Sequence, residues 1–157
     1  MDIQRDYAYG VIPFYRELSG EYVFFIGKTQ GKDGRKIFWK FPKGHKDSDE
    51  EDEAEAAARE LREETGMSLE PNAVINSSPF SEEYFYEKPD GSIIRKINTY
   101  FLGQVTTPGS EVPNVTIEEN EFSEYKWAGF EEVLRLLPEN SREMFREAHD
   151  FLVRNKV

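Results

Sequence analysis

The sequence predicts a single domain of the α/β class. A chain of 157 residues is long enough for one hydrophobic core, and 38% hydrophobic with 14% aromatic residues can fill it. Segments rich in β-branched and aromatic residues, which favour strands, lie on both sides of a segment without Pro or Gly that favours a helix. We therefore expect residues 1–157 to form one domain in which strands and helices share a core.

The first elements predicted along the chain are strands. Residues 7–15 (YAYGVIPFY) and 21–28 (EYVFFIGK) flank a polar turn, so they predict a hairpin, and residues 36–41 (KIFWKF) predict a short third strand. A loop beginning at Pro42 then leads to a helix at residues 51–65, which ends where Gly66 supplies a C-cap.

The remaining elements follow that helix. Residues 74–88 and 93–105 flank the turn sequence KPDG, so they predict a long antiparallel hairpin arm. Residues 106–120 contain Pro108, Gly109 and Pro113 and are expected to form a mobile loop. A strand is predicted at residues 121–128, and two helices are predicted at residues 130–137 and 141–155, separated by Pro138.

The helix at residues 51–65 carries acidic side chains at its unfavourable end. Glu60, Glu63 and Glu64 lie in the last turns, near the negative end of the helix dipole, and they share one arc of the surface. Each i,i+3 or i,i+4 pair of like charges costs about 0.2–0.5 kcal/mol. A bound divalent cation would make the arrangement favourable, whereas the simpler alternative is a solvated acidic helix.

The donor atoms in this arc favour Mg²⁺ or Mn²⁺, because carboxylate oxygens without thiols or a histidine cluster are hard ligands. Mg²⁺ commonly binds a few carboxylates together with substrate phosphates. Ala54, Ala57, Ala58 and Leu61 form the adjacent apolar face of the helix. We expect this face to lie against a sheet while the glutamates border a cleft.

The overall composition restricts the partners of the chain. The net charge of −11 opposes nonspecific binding to nucleic acid or anionic membranes, so a stable nucleic-acid complex is not expected. It also opposes a polyphosphate substrate, which would need a metal ion and a few well-placed cations. The absence of Cys excludes disulfides and thiolate metal sites. Without an apolar run of 18 residues or a secretory signal, we expect a cytoplasmic protein with no membrane partner.

Residues 59–67, RELREETGM, resemble the second half of the Nudix box, G-x5-E-x7-R-E-U-x-E-E-x-G-U with U aliphatic. Every fixed position of that half matches. Glu51 precedes Arg59 by the expected seven residues, whereas Gly44 and Glu51 are separated by six residues instead of five. The order of elements along the whole chain also resembles the Nudix fold. The resemblance implies a mixed β-sheet sandwiched between helices (α/β/α) with an antiparallel hairpin arm.

Two further regions resemble one branch of this superfamily, the asymmetric diadenosine tetraphosphate (Ap4A) hydrolases. They are residues 41–45 (FPKGH) and the C-terminal segments EFSEYKW and EAHDFL. The resemblance implies attack of a metal-activated water on phosphorus, which converts Ap4A to ATP and AMP. FPKGH also occurs in RNA 5′-pyrophosphohydrolases and diphosphoinositol phosphatases. An RNA 5′-pyrophosphohydrolase, another nucleoside polyphosphate pyrophosphatase and a catalytically silent nucleotide sensor therefore stay as alternatives.

The resemblance also assigns roles to individual residues. The implied metal ligands are Gly44, Glu60, Glu63, Glu64 and Glu121. Glu60 is the expected general base with Glu121 as its rival, and Arg59 is expected to orient the helix glutamates. The expected phosphate-binding residues are Lys43, His45, Arg95 and Lys96. Aromatic stacking is worth about 1–3 kcal/mol per base, and the candidates are Tyr84, Tyr86, Tyr100 and Tyr125, with Tyr86 and Tyr100 preferred. His149 is expected to be structural.

Overall fold

The computed structural model describes residues 3–69 and 79–157, which form a mixed sheet between helices. In chain order the regular elements are β1 (Ile3–Arg16), β2 (Tyr22–Thr29), a 3-10 turn (Lys32–Gly34), β3 (Trp39–Lys40), β4 (Lys43–Gly44), α1 (Glu53–Thr65), β5 (Phe80–Glu87), β6 (Ile93–Gln104), β7 (Phe122–Ala128), α2 (Phe130–Leu136) and α3 (Glu139–Asn155). Among the described helices, none has the length and apolar character needed to span a bilayer.

The centre of the sheet is the parallel pair β1 and β6, in register from Ile3 opposite Ile93 to Phe14 opposite Gln104. The other strand pairs within the described residues are antiparallel, including β5 with β6 and β2 with β7. The predicted mixed sheet and the hairpin arm formed by β5 and β6 are therefore confirmed.

The sheet splits between β1 and β2, and this split creates the site described below. The two strands pair only at residues 14–16 with residues 22–24. Beyond that point β3 pairs with β2 and β4 pairs with β1, so two short strands fill the gap. The close approach of β4 requires Gly10, because a Cβ there would lie 2.7 Å from the Lys43 Cβ and 2.9 Å from a ring carbon of Tyr100.

Each face of the sheet is covered by different helices. Side chains of alternate residues form one cluster with α2 and α3, which includes Ile12, Phe14, Phe24, Ile26, Leu102, Val133, Phe145 and Leu152. A second cluster on the opposite face packs against α1 and includes Val11, Phe25, Phe101, Ala56, Ala57 and Leu61. The prediction of an apolar face on α1 is confirmed at Ala57 and Leu61. It is wrong at Ala58, whose place in the cluster is taken by Ala56, because the buried arc of the helix also includes Glu64.

Several element boundaries differ from the predictions. Helix α1 begins at Glu53 because Asp52 is its N-cap, with the Asp52 carboxylate accepting a hydrogen bond from the Ala54 amide at 3.1 Å. Gly66 caps the other end with a φ of 74°, as predicted. Strand β1 begins at Ile3, earlier than predicted, because its first half pairs with β6.

The third predicted strand is reduced to Trp39–Lys40, and the predicted loop after it contains β4. Part of the strand predicted from residue 74 lies outside the described residues, and β5 begins at Phe80. Helix α3 begins at Glu139, earlier than predicted, with Pro138 as its N-cap. Residues 106–120 contain no helix or strand.

Candidate active site

Two glutamates of α1 line a small cavity at the split in the sheet. Glu60 and Glu64 are one helical turn apart, so they project from the same side of α1. Gly44 from β4 and Glu121, which directly precedes β7, also line this cavity. The cavity has a volume of about 320 Å³, and we call it the glutamate pocket. Its other lining residues are Ala8, Lys40, Lys43, His45, Lys46, Asp47 and Lys96.

Glu64 is the most enclosed carboxylate of this pocket, with 4% of the residue exposed. Its Oε1 atom is buried and has no hydrogen-bond partner in the described part of the chain. Burial raises the pKa of Glu64 to about 9, and the adjacent Glu60 and Glu121 act in the same direction while Lys40 opposes them. A buried carboxylate oxygen without a partner, beside two more carboxylates, has the donor chemistry that a hard divalent cation requires.

Gly44 meets Glu60 directly. A Cβ at position 44 would overlap the Glu60 carboxyl group, so any larger residue there would force this carboxylate to move. The resulting proximity of the Gly44 main chain to Glu60 and Glu64 fits a shared cation. The role of the Gly44 carbonyl as a ligand stays a prediction.

Arg59 contacts two residues that line the glutamate pocket, Glu60 and His45. Its guanidinium donates to both carboxylate oxygens of Glu51, at 2.9 and 3.1 Å, and to Glu60 at 3.0 Å. It also donates to Glu63 at 3.1 Å and to the carbonyl oxygen of His45 at 2.7 Å. These contacts raise the pKa of Arg59, chiefly through Glu51. Arg59 thus forms ion pairs with Glu60 and Glu63, as a residue that orients these glutamates must, and its role in positioning them stays a prediction.

The loop between Gly44 and Glu51 is held by the same hydrogen-bond network. The Asp47 amide donates to Glu51 at 2.8 Å, and Arg59 holds both Glu51 and His45. The hydrogen bonds from Arg59 and Asp47 lower the pKa of Glu51 to about 2. Glu51 is therefore an ionised anchor for Arg59, at the same spacing as the corresponding Glu of the Nudix box.

Not all predicted metal ligands converge. Glu63 does not line the glutamate pocket: its side chain is 55% exposed and pairs with Arg59. Glu60 is engaged by Arg59, and Glu121 by Lys40 at 3.1 Å. Accordingly, no three His, Asp or Glu side chains among residues 3–69 and 79–157 are already arranged around one cation position. The oxygen donors suit a hard divalent cation. In this structure, however, the charges of Glu60 and Glu121 are balanced by the side chains of Arg59 and Lys40.

A longer cleft adjoins the glutamate pocket. It has a volume of about 1180 Å³ and we call it the long cleft. Four residues line both cavities, namely Lys40, Lys43, Lys96 and Glu121. Burial and the neighbouring ammonium groups of Lys40 and Lys96 lower the pKa of Lys43 to about 8. The junction is therefore a cationic strip within an acidic protein.

The predicted base-binding tyrosines are distributed over different places. Tyr84 and Tyr86 line the long cleft with their ring centroids 6.4 Å apart, and Tyr86 is 40% exposed. Tyr100 also borders the cleft, but it is buried with its ring against Phe41, which leaves no free ring face for stacking. Tyr125 stacks on Phe25 and does not line the cleft.

The predicted phosphate-binding residues are also separated by the structure. Lys96 lines both cavities and donates to Asp6 at 2.9 Å, and Asp6 also pairs with His45 at 2.7 Å. Arg95 points to the opposite face of the sheet, where it donates to Glu83 at 2.9 and 2.8 Å, so it does not enter the cleft. This difference arises because consecutive residues of a strand alternate between faces.

His149 lines neither cavity. Its ring stacks on Phe130 with a centroid separation of 4.0 Å, and burial lowers its pKa.

The sequence interpretation missed several polar residues of these cavities. Lys40 pairs with Glu121, and Asp6 links Lys96 to His45. Glu82 is buried in the long cleft, where Ser141 donates to it at 2.8 Å. No local pattern marks these residues, because each depends on contacts between distant segments. Lys40 is the exception in one respect, since it lies immediately before the FPKGH motif.

Comparisons with known proteins identify the family of this chain. Residues 5–148 match the model of the NUDIX domain. An RNA pyrophosphohydrolase of Erythrobacter litoralis is 32% identical over 116 residues, which cover 69% of both chains. The asymmetrical bis(5′-nucleosyl)-tetraphosphatase of Mus musculus is 30% identical over 115 residues, covering 73% of this chain and 71% of the mouse protein.

Among solved structures, the Ap4A hydrolase of C. elegans superposes with a TM-score of 0.64 at 25% identity, covering 93% of this chain and 97% of that one. The match to the domain model spans most of the chain and includes the segments that build both cavities. The chain therefore belongs to the Nudix hydrolase family.

Proposed function

We propose that this chain hydrolyses dinucleoside polyphosphates and cleaves Ap4A asymmetrically to ATP and AMP. The observation that carries the proposal is that the two cavities adjoin. The glutamate pocket shares Lys40, Lys43 and Lys96 with the long cleft, which Tyr84 and Tyr86 also line. This arrangement suits a ligand with a chain of phosphates and a terminal nucleoside. The phosphates at the reaction centre need a metal held by carboxylates, the other phosphates need cations, and the base needs an aromatic surface.

The roles of the residues follow from their positions. When bound, a Mg²⁺ or Mn²⁺ ion held by Glu60, Glu64, Glu121 and the Gly44 carbonyl would neutralise phosphate charge and lower the pKa of the attacking water. Glu60 would accept a proton from the attacking water, with Glu121 as the alternative base. Arg59 keeps Glu60 in place.

Substrate binding is assigned to the cationic strip and the cleft. Lys43 and Lys96 bind the phosphate chain, and His45, which Asp6 holds at the edge of the same pocket, supports them. Tyr86 offers its partly exposed ring to a base. Of the predicted set, Arg95 is left out because it lies on the other face of the sheet, and Tyr100 is assigned to the wall of the cleft.

A second candidate function is removal of pyrophosphate from RNA 5′ ends. The 32% identity to an RNA pyrophosphohydrolase favours it, and the same lysine strip suits a 5′-triphosphate. The net charge of −11 disfavours it, because a longer RNA would have to approach an acidic surface.

The deciding experiment is a product analysis with Mg²⁺ in ¹⁸O-water. The panel comprises Ap4A, capped and 5′-triphosphorylated RNA, and mononucleotides. ATP and AMP as the main products from Ap4A, with the label locating the attacked phosphorus, would support the proposal. Pyrophosphate from RNA with Ap4A untouched would establish the second function instead. Binding of nucleotides without turnover would indicate a sensor.

A further inference from the structure

Lys40 occupies an unusual position between the two cavities. Its ammonium group lies 3.1 Å from the Glu121 carboxylate and 5.5 Å from the centre of the Phe122 ring, and only 12% of the side chain is exposed. Lys40 also acts electrostatically on Glu64, where it opposes the rise in pKa that burial causes. A lysine on the short strand β3 therefore provides positive charge to one carboxylate from α1 and to another from the residue before β7.

This position conflicts with the requirement for a divalent cation. A metal ion shared by Glu64 and Glu121 would place at least two positive charges beside an ammonium group already paired with Glu121. Like charges at such short range repel strongly, and more so when water is largely excluded. Lys40 and the metal therefore compete for the same carboxylate.

The surroundings of Lys40 offer a second partner for its charge. Lys40 lines the long cleft as well as the glutamate pocket, beside Lys43 and Lys96. Once released from Glu121, its flexible side chain would reach anions bound at this junction, where the phosphate chain of the substrate is assigned. A substrate phosphate is the anion that the released ammonium group would meet there.

We propose that Lys40 is a displaceable counter-cation: it neutralises Glu121 in the metal-free chain and moves to the substrate phosphates when the metal binds. The consequence is positive coupling between metal and polyphosphate, since the metal releases the lysine that the phosphates need. The proposal rests on the function proposed above, because it uses that assignment of the metal and phosphate positions.

The test begins with Mn²⁺ alone, measured by calorimetry on metal-free protein at moderate salt. The Lys40→Met variant should bind Mn²⁺ on the order of tenfold more tightly than wild type, because the competing charge is gone. Lys40→Arg should stay close to wild type. The matched control is Lys126→Met, which removes a lysine paired with Glu132 at 3.0 Å outside both cavities and should leave Mn²⁺ affinity unchanged.

Two further measurements test the competition for Glu121 and the transfer of Lys40 to phosphate. In a Glu121→Gln background the Lys40→Met substitution should tighten Mn²⁺ binding much less than in wild type, because the contested carboxylate is absent and only the action of Lys40 on Glu64 and the metal is left. With Mg²⁺ saturating, Lys40→Met should raise the KM for Ap4A by about tenfold, corresponding to the loss of one phosphate contact. A damaged fold would weaken Mn²⁺ binding, so tighter binding cannot come from misfolding.

Each outcome decides the proposal. Unchanged or weaker Mn²⁺ binding by Lys40→Met would overturn it, and tighter binding with an unchanged KM would overturn the transfer to phosphate. Failure of the proposed function looks different. Wild type would then bind Mn²⁺ in a manner lost in Glu64→Gln, without cleaving Ap4A, and the Mn²⁺ comparison would still decide whether Lys40 competes.

Discussion

The glutamate pocket and the long cleft are adjacent but are built in different ways. Two of the pocket's carboxylates come from one helix, four residues apart, and Arg59 beside them orients one directly. The cleft is lined by side chains from several strands, the loop before β3 and the start of α3. Local spacing thus supplies the carboxylates that are proposed to hold a cation, whereas tertiary packing supplies the surface that is proposed to select a ligand. Substitutions in the pocket should abolish turnover, and substitutions in the cleft should change substrate affinity.

The largest effect should come from Glu64→Gln. It removes the buried carboxylate and keeps its shape, so we expect kcat to fall by about 10³-fold or more while the fold is retained. Steady-state kinetics and circular dichroism would measure both. The neighbouring Glu63→Gln is the matched control, because Glu63 is outside the pocket and should lose far less activity. Equal losses in the two variants would contradict the assignment of Glu64.

Arg59→Lys should have the next largest effect. Lysine keeps the charge but cannot donate simultaneously to Glu51, Glu60 and the His45 carbonyl, as the guanidinium does. We expect kcat to fall by about 10²-fold, with a KM that changes much less. The ratio of the two parameters distinguishes a positioning role from substrate binding. A large rise in KM at constant kcat would place Arg59 on the substrate instead.

A smaller effect should distinguish two consecutive residues of β6. Lys96→Met should raise the KM by roughly tenfold because it removes a cation from the junction of the cavities. Arg95→Met should leave the KM unchanged, since Arg95 pairs with Glu83 on the opposite face of the sheet. Kinetics of both variants at several salt concentrations would measure this. A response to Arg95→Met as large as that to Lys96→Met would contradict the assigned orientation of β6.

A further comparison concerns stability, which should depend on pH in the absence of metal. Burial raises the pKa of Glu64 from 4.5 to about 9, so on raising the pH the unfolded chain releases this proton first. The contribution of Glu64 to the free energy of unfolding should therefore be complete below pH 4.5. It should fall by a few kcal/mol as the pH rises to about 9.

Urea unfolding in EDTA across this range would measure the slope, and Glu64→Gln should remove the part due to Glu64. A slope that is identical in the variant would contradict the predicted burial of an ionisable group.

Much of the fold could be predicted because its signals are local. The absence of Pro and Gly and the stop at Gly66 predict α1 within two residues of its observed bounds. The KPDG turn defines the hairpin of β5 and β6. The parallel pairing of β1 with β6 could not be predicted, since it joins residues about ninety positions apart. The insertion of β3 and β4 between β1 and β2 could not be predicted either, because it depends on how separate segments pair.

The candidate site also combines features that follow from local sequence with features that depend on tertiary packing. By itself the sequence determined that Glu60 and Glu64 share a helix face, that Arg59 lies beside them, and that a glycine precedes the loop, because helical periodicity and motif spacing are properties of neighbouring residues. Only the tertiary structure decided that Glu64 is buried while Glu63 is exposed. It also decided that Lys96 enters the cleft while Arg95 does not, and that Lys40 meets Glu121. These outcomes depend on which side of each strand and helix faces another element, and that is fixed only when distant segments pack together.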